Sequence, residues 1–537
     1  MIQDKMDFSM HIIRKLFCFL SCLGLLSGCT GRDSVWQGDT TAVGAPTYLQ
    51  YGSFNMGLYG TLDETHRVAV LLPTSGPSAE IGKSIRLGIE AAAVRFAPSG
   101  IQINFYDTGQ GDIIQAIESA LSENPEIIIG PVFAEDAKML RDNKPTRIPA
   151  LSFTSDTTAV GKGVFSMALM PSNSIEAILQ EMSANSDRHF IIIAPDTGAG
   201  HIMAGVAKSV SDTIDLENIG ILYYTERNTD SIKNTAINAA LYNARNAANI
   251  RAKEILSAII NTEELSQEEK ESISAQLENI NRTDTLGKLP YDSILFLGGS
   301  DDTKSLVSFL RYYGVDTNDT KFYGTPMWQD TSLSSDVAMI GARFAALPDI
   351  PQDFAMIYES ATGTKAPRMA ALGYDAMMLA IGGLYSTTNK TAYLTSPNGY
   401  VGINGLFRLR ANGQNERALQ IIKFNGAGKT MVVRPEKNSF MTPLYIIGNT
   451  KPEPVAQTEI EIETINAMDY IDIPERFIKK YRRKNYKEPI ESDMDGLTSV
   501  TVLPATSEDF AITAEDYKPV KLETVSRTYI DSVEITE

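Results

Sequence analysis

The sequence predicts an α/β protein made of two similar lobes, and three observations predict it. From residue 67, short apolar runs rich in β-branched residues alternate with segments of helical spacing. That alternation implies a largely parallel sheet between helix layers. The pattern restarts near residue 170, again from a strand–glycine–helix unit. A long stretch of helical spacing, about 228–285, interrupts only the second run.

The opening unit, RVAVLLPTSGPSAEIGKSIRLGIEAAAVRF (67–96), sets the pattern. Val68, Val70, Leu71 and Leu72 suit a strand buried on both faces. Thr74, Ser75, Gly76 and Pro77 end that run. Ser78 is placed to cap a helix, and Glu80 faces its positive end. Ile81, Ile85, Ile89, Ala92 and Phe96 share one helical face. Such a unit sets hydroxyls and backbone N–H groups at the carboxyl end of a strand, where open α/β sheets bind ligands.

Further strands are expected at 101–108, 126–132 and 148–155, with helices near 112–122 and 134–142 between them. Ser152, Thr154 and Ser155 again put polar side chains at a strand end. In the second run a helix is expected over 174–184, with strands at 189–195, 219–225, 291–300 and 321–328. Helices follow Gly198 and occupy about 302–314. The 228–285 stretch carries an apolar stripe of Ile237, Ala240, Leu241, Ala244 and Ala248, and a second helix at about 265–281. It reads as a helical hairpin, either packing decoration or a partner-docking surface. A strand at 341–349 and helices at 351–361 and 366–385 come next. Asn412-Gly413, flanked by alternating residues, marks a β-hairpin within 402–424.

Composition narrows the function. Formal net charge is -18 and the pI is near 4.9, which excludes nucleic acid as the main partner. The three cysteines, Cys18, Cys22 and Cys29, all lie near the N-terminus, so the body has no disulfide and no thiolate metal site. The four histidines show no metal-ligand spacing. No metal and no cofactor are expected.

Arg14 and Lys15 precede an apolar run at 16–26, too short to span a membrane but suited to an export signal. Leu26-Ser27-Gly28-Cys29 resembles a bacterial lipobox. The resemblance implies that Cys29 is lipidated, that 1–29 is a lipoprotein signal peptide, and that the protein is membrane-anchored through lipid. Acyl carbons add roughly 0.8 kcal/mol each when buried, so several chains make a stable anchor. Thr30 stands where Asp would favour inner-membrane retention, so the expected site is the outer membrane, facing the periplasm. Residues 30–66 lack periodicity and read as a flexible tether.

VAVLLPTSGPSAEIGKSIRLGIEAA, IIIGPV, IPALSFTS, LGYDAMMLA and GINGLFRLRANG, closed by IIKF, resemble in order and spacing the type I periplasmic-binding fold. This is the leucine/isoleucine/valine-binding class, and the resemblance covers about 67–435. It implies two Rossmann-like lobes joined by three crossovers, near 170, 350 and 397. Lobe one is then 67–169 plus 351–396. Lobe two is 170–350 plus 397–435 with the helical insertion, and 436–537 is an irregular C-terminal tail. Within that superfamily the lipobox, tether and opening unit are most similar to penicillin-binding protein activator lipoproteins. That similarity implies a non-catalytic lipoprotein that binds and activates a bifunctional peptidoglycan synthase. Residues 30–66 are too short for the helical-repeat domain typical of such activators. The alternative is the substrate-binding lipoprotein of an ABC importer for amino acids, amides or small peptides.

In amino-acid-binding relatives, hydroxyls and N–H groups after the first and fourth strands hold the ligand carboxylate. The matching positions are Thr74, Ser75, Ser152, Phe153, Thr154 and Ser155, with Ser300 and Trp328 as second-lobe candidates. These Ser and Thr residues read either as a cleft for a small ligand or a peptidoglycan fragment, or as caps of helices and turns. An acidic residue usually follows the strand matching KFYGTPMW to pair an ammonium, but Pro326 and Met327 stand there. A buried ammonium without a counter-charge is costly.

Catalytic motifs are missing. Gly76 to Ser84 imitates a phosphate loop, but five residues separate Gly76 from Gly82 where four are needed. No Ser-x-x-Lys, Gly-x-Ser-x-Gly or His-Glu-x-x-His occurs. In the tail, PERFIKKYRRKNYK (474–487) interleaves basic and aromatic residues. It reads as a solvated amphipathic helix or as a contact for an anionic surface.

Overall fold

The computed structural model describes residues 45–49, 65–96, 100–110, 112–262, 264–329, 331–386, 388–440, 453–460 and 465–482. The expected export signal with Cys29, and most of the expected tether, lie outside these residues. The exception is β1 (Thr47–Tyr48), a short strand within the stretch expected to be tether. Leu49 beside it is fully buried in the first core.

The first lobe follows the sequence pattern. β2 (His66–Leu72), α1 (Ala79–Phe96), β3 (Ile101–Asp107), α2 (Ile113–Ser122), β4 (Ile127–Ile129), α3 (Ala134–Asn143), β5 (Ala150–Ser152) and β6 (Val164–Ser166) alternate along the chain. The five strands form a parallel sheet in the order β3-β2-β4-β5-β6. Val68, Val70 and Leu72 face one core while Ala69 and Leu71 face another, as period-two alternation requires of a sheet covered on both sides. Asp112 starts α2 by accepting the Ile114 N–H at 2.9 Å. Ile85, Ile89 and Ala92 are fully buried, but Ile81, in the first turn of α1, is 39% exposed.

α4 (Pro171–Ala184), β7 (His189–Pro195), α5 (Gly198–Ser211) and β8 (Glu217–Tyr224) open the second lobe. β9 (Ser293–Phe296), α9 (Ser300–Tyr312), β10 (Lys321–Gly324), α10 (Thr331–Ser334) and β11 (Arg343–Ala346) complete its parallel part. Between β8 and β9 lie α6 (Thr229–Ala239), α7 (Tyr242–Ile260) and α8 (Gln267–Asn281), so the insertion is three helices and not a hairpin of two. A capping box between Ser266 and Glu269 starts α8. The chain then returns to the first lobe as α11 (Gln352–Thr362), α12 (Arg368–Leu384) and α13 (Lys390–Leu394). α12 is buried throughout Ala370–Leu384 and packs on α1. The approach is backbone to backbone: a Cβ on Gly88 would lie 1.9 Å from the Ala370 carbonyl oxygen, and one on Gly373 2.2 Å from that of Ile85.

The third crossover is more than a linker. β12 (Tyr400–Gly402), β13 (Gly405–Leu409) and β14 (Asn415–Arg417) form a small sheet with β1, ordered β1-β12-β13-β14. β13 and β14 are the expected hairpin around Asn412-Gly413. Segment 397–435, expected wholly in lobe two, therefore divides. Tyr400, Ile403, Phe407 and Leu409 belong to the first-lobe core. β15 (Gln420–Gly426) and β16 (Lys429–Arg434) add antiparallel to the second sheet, whose order is β16-β15-β11-β10-β9-β7-β8.

The tail is not irregular where it is described. Residues 453–460 form a strap along β8, the sheet edge, with Thr458 bridging Ile221 in antiparallel fashion. Ala467, Met468, Ile471, Ile473, Phe477 and Tyr481 form one apolar cluster with Ala252, Ile255, Leu256, Ile259, Ile273 and Ile280 of the insertion. The basic stretch begins as α14 (Glu475–Arg482), with Phe477 buried and Lys479 and Lys480 exposed. It is a docked helix, and Arg476 pairs with Glu269 of α8 at 2.6 and 2.9 Å.

Candidate functional site

The loops at the carboxyl ends of β2, β5, β9 and β10 hold the residues that sequence reasoning singled out. After β2, the N–H groups of Thr74 and Ser75 donate to the Asp107 carboxylate at 2.8 and 3.2 Å, and the Ser75 hydroxyl donates to its other oxygen. The Gly109 N–H adds a bond at 2.9 Å. Desolvation pushes the Asp107 carboxyl up, but these donors together outweigh it and hold the group at about 2. The anion-binding donors of this loop are thus engaged by a carboxylate of the chain itself.

The loop after β5 is likewise closed on itself. The Ser152 hydroxyl, fully buried, donates to the Pro131 carbonyl at 2.8 Å and accepts the Thr154 N–H at 3.3 Å. Thr154 accepts the Asp156 N–H at 3.1 Å, and its carbonyl accepts the Ser166 hydroxyl at 2.7 Å. Phe153 lies in the first-lobe core. Of this set only Ser155 is exposed, and it has no hydrogen-bond partner among the described residues.

In the second lobe Ser300, at the start of α9, donates to the Met327 carbonyl at 3.3 Å. Trp328 is not a cleft residue. It is fully buried in the second-lobe core, 5.7 Å from the Phe296 ring and 6.2 Å from that of Phe424, with its indole N–H on Thr303 at 3.2 Å. Gly324 makes room for it, since a Cβ there would meet the indole at 2.3 Å. The side chain left at the end of β10 is Met327, about half exposed. It offers no charge to an ammonium. No hydrogen bond among the described residues joins the first-lobe group to the second-lobe group.

The polar centre that sequence reasoning missed is the hinge. Asn415 in β14 donates to the carbonyls of Ser166 and Ala168, at 2.9 and 2.6 Å, on the first crossover. Its own carbonyl accepts the Asn173 amide of α4 at 2.9 Å, and Arg417 donates to Met167. Next in sequence, Glu416 takes both Arg408 and Arg410. Asp375 on α12 accepts the N–H groups of Ile403 and Asn404 at 2.7 and 3.3 Å. Complete burial pushes its carboxyl up to about 6, against the pull of these donors and of Arg417. Burial also brings the Arg417 guanidinium down to about 10. Polar residues on consecutive positions of a hairpin, Asn415-Glu416-Arg417, were the available signal.

Among the described residues no group of three or more His, Cys, Asp or Glu side chains could hold a metal ion. No described helix is long and apolar enough to cross a membrane.

The alternation and the two sheets define a two-lobed α/β fold. The family model described as periplasmic binding protein matches residues 65–447, and the chain belongs to that family. Two curated relatives match part of it. The penicillin-binding protein activator LpoA of Mannheimia succiniciproducens is 24% identical over 34% of this chain and 32% of its own length. That of Pasteurella multocida is 26% identical over 29% of this chain and 26% of its own length. The match thus spans a third or less of either relative. A crystal structure from Rhodospirillum rubrum, named for a branched-chain amino acid ABC transporter, shares the fold. Its TM-score is 0.52 at 14% identity, covering 69% of this chain and 100% of that one.

Proposed function

We propose that this chain is a non-catalytic lipoprotein that binds and activates a bifunctional penicillin-binding protein in support of cell-wall synthesis. Residues 1–29 act as the export signal, and lipid on Cys29 holds the protein at the outer membrane, facing the periplasm. The observation that carries the reading is the state of the β2 loop: Thr74 and Ser75 already hold Asp107. Met327 supports it, because a bound amino acid would keep its ammonium beside an apolar side chain without a counter-charge. The partial matches to two LpoA proteins support the choice of partner.

Purified chain is mixed with a bifunctional penicillin-binding protein, and glycosyltransferase turnover is followed together with co-sedimentation. Stimulated turnover and a stable complex are expected; absence of both defeats the reading. The second reading is a substrate-binding lipoprotein of an ABC importer, which the unpartnered Ser155 favours. It predicts a thermal shift with amino acids, amides or peptides. Ligand at 100 times its Kd adds about 2.7 kcal/mol of stability, whereas the first reading predicts a flat screen.

A further inference from the structure

A groove runs along the outer flank of the second lobe, between α6 and the strap. One end is a hollow of about 390 Å³ lined by Tyr223, Asn234, Asn238 and Gln457. It continues into a hollow of about 270 Å³ that shares Asn238 and Gln457 and adds Tyr242 and Asn243. Together they follow the full length of α6, about 16 Å at 1.5 Å per residue.

The asparagines of this region fall into two groups. Asn246 donates to the Asp284 carbonyl at 2.7 Å, and Asn249 to that of Ile280 at 3.4 Å, so these two tie α7 to the chain around α8. Asn228 accepts the Ser231 N–H at 3.0 Å and starts α6. Fold stability accounts for all three. Asn234, Asn238 and Asn243 lie within helices, where asparagine is a poor choice because its amide competes with the backbone. Their amides, and that of Gln457 opposite, have no hydrogen-bond partner among the described residues. All four residues line one groove. Leu241, which joins α6 to α7, is held in the left-handed region at φ 49°, and this bend turns Tyr242 and Asn243 into the same groove.

The chemistry of the lining selects a ligand class. Neither hollow is lined by Lys or Arg, while Asp230 and Glu459 are present, which excludes phosphates and carboxylates. Each amide offers donors and an acceptor together, matching a hydroxyl that does the same. Tyr242 supplies a ring with a polar tip, suited to a ligand that has apolar faces and polar edges. We infer that the groove between α6 and the strap is a binding site for a neutral oligosaccharide. This site lies apart from the loops at the ends of β2 and β5 and does not depend on the proposed partner.

The test is isothermal titration of the full chain with cellotetraose, chitotetraose and, as a peptide probe, tetra-alanine. Saturable binding of a tetraose is expected. The N234A/N238A double variant should bind at least about tenfold more weakly, and Q457A should lose affinity too. Alanine is the better helix former, so the double variant should melt no lower than the parent. Lost affinity in a protein that melts normally therefore reports the site and not the fold. Failure of both tetraoses to bind overturns the assignment. So does equal affinity in the double variant, or saturable binding of tetra-alanine alone.

Discussion

The His201 imidazole lies flat on the ring of Tyr223, with centroids 3.9 Å apart and planes at 21°. Both side chains reach the strap. His201 Nδ1 sits 2.9 Å from the Val455 carbonyl oxygen, and the Tyr223 hydroxyl donates to that same oxygen at 2.7 Å. His201 Nε2 lies 2.8 Å from Asp196. A carbonyl and an ionised carboxylate only accept, so the arrangement is complete when both ring nitrogens carry hydrogen. Desolvation lowers the His201 pKa, but the bonds to Asp196 and Val455 outweigh it and leave it raised above 6.5.

Strap docking is therefore expected to weaken as pH rises. A group whose folded pKa is raised contributes stability that is fully present below its unfolded value and lost as pH rises through the folded one. Hydrogen exchange at Ile221 and Thr458 should be slow at pH 6 and, after correction for intrinsic rates, faster at pH 8.5. H201Q should exchange alike at both. An equal correction-normalised rate for the parent at the two values refutes the role of His201 in holding the strap.

The contact of α1 with α12 predicts a steric cost. Gly88→Ala places a methyl 1.9 Å from a backbone oxygen that cannot rotate away. Overpacking of this kind costs about 1–3 kcal/mol or more, read as a lower urea midpoint. Gly198→Ala is the control, because nothing lies within 4 Å of its Cβ position. It should leave stability within about 1 kcal/mol of the parent or raise it.

The insertion and the tail share one core. Phe477, 2% exposed, packs there with Ile255, Leu256 and Ile273. Phe477→Ala should cost about 3–5 kcal/mol locally. The loss should appear as faster hydrogen exchange in α7 and α8, with β2 and β4 of the first lobe unaffected. Unchanged exchange in α7 and α8 would contradict the shared core.

Asp375 gives the hinge its own pH profile. Its carboxyl titrates near 6 when folded against 3.8 for the ordinary group, so its contribution favours folding below pH 3.8 and falls as pH rises through 6. D375N removes the titration. Between pH 4.5 and 7.5 the parent should lose more stability than D375N, measured as urea midpoints in paired buffers. Parallel profiles would rule out a neutral Asp375.

How much of this was legible in the sequence depends on the distance between partners. Strands such as Phe190–Ala194 announce themselves, because a run buried on both faces is apolar at every position. The hairpin at Asn412-Gly413 was equally local. Ile81 misled, because it shares a helical face with the fully buried Ile85 yet lies in the first turn of α1 and is 39% exposed. Thr74 and Ser75 were found, yet their partner Asp107 lies 33 and 32 residues away, and no spacing rule links them. Trp328 read as a cleft aromatic because the space over Gly324 exists only after β10 has folded. Ile471, Ile473 and Phe477 sit among charges, and the helices they complete lie some two hundred residues earlier. Asn234 and Asn238 went unmarked in the sequence, because the strap that forms their opposite wall lies more than two hundred residues away.

β1 has one more consequence. Thr47 donates to Gly399 at 3.0 Å and Leu49 to Val401 at 2.8 Å, in parallel register with the strand through which the chain passes back toward the second lobe. Mechanical tension arriving through residue 45 would therefore fall on the β1–β12 pair and on the first-lobe core that Leu49 and Tyr400 enter. The load runs in shear along paired strands, so it is shared between both hydrogen bonds and the Leu49 side chain instead of peeling them one by one.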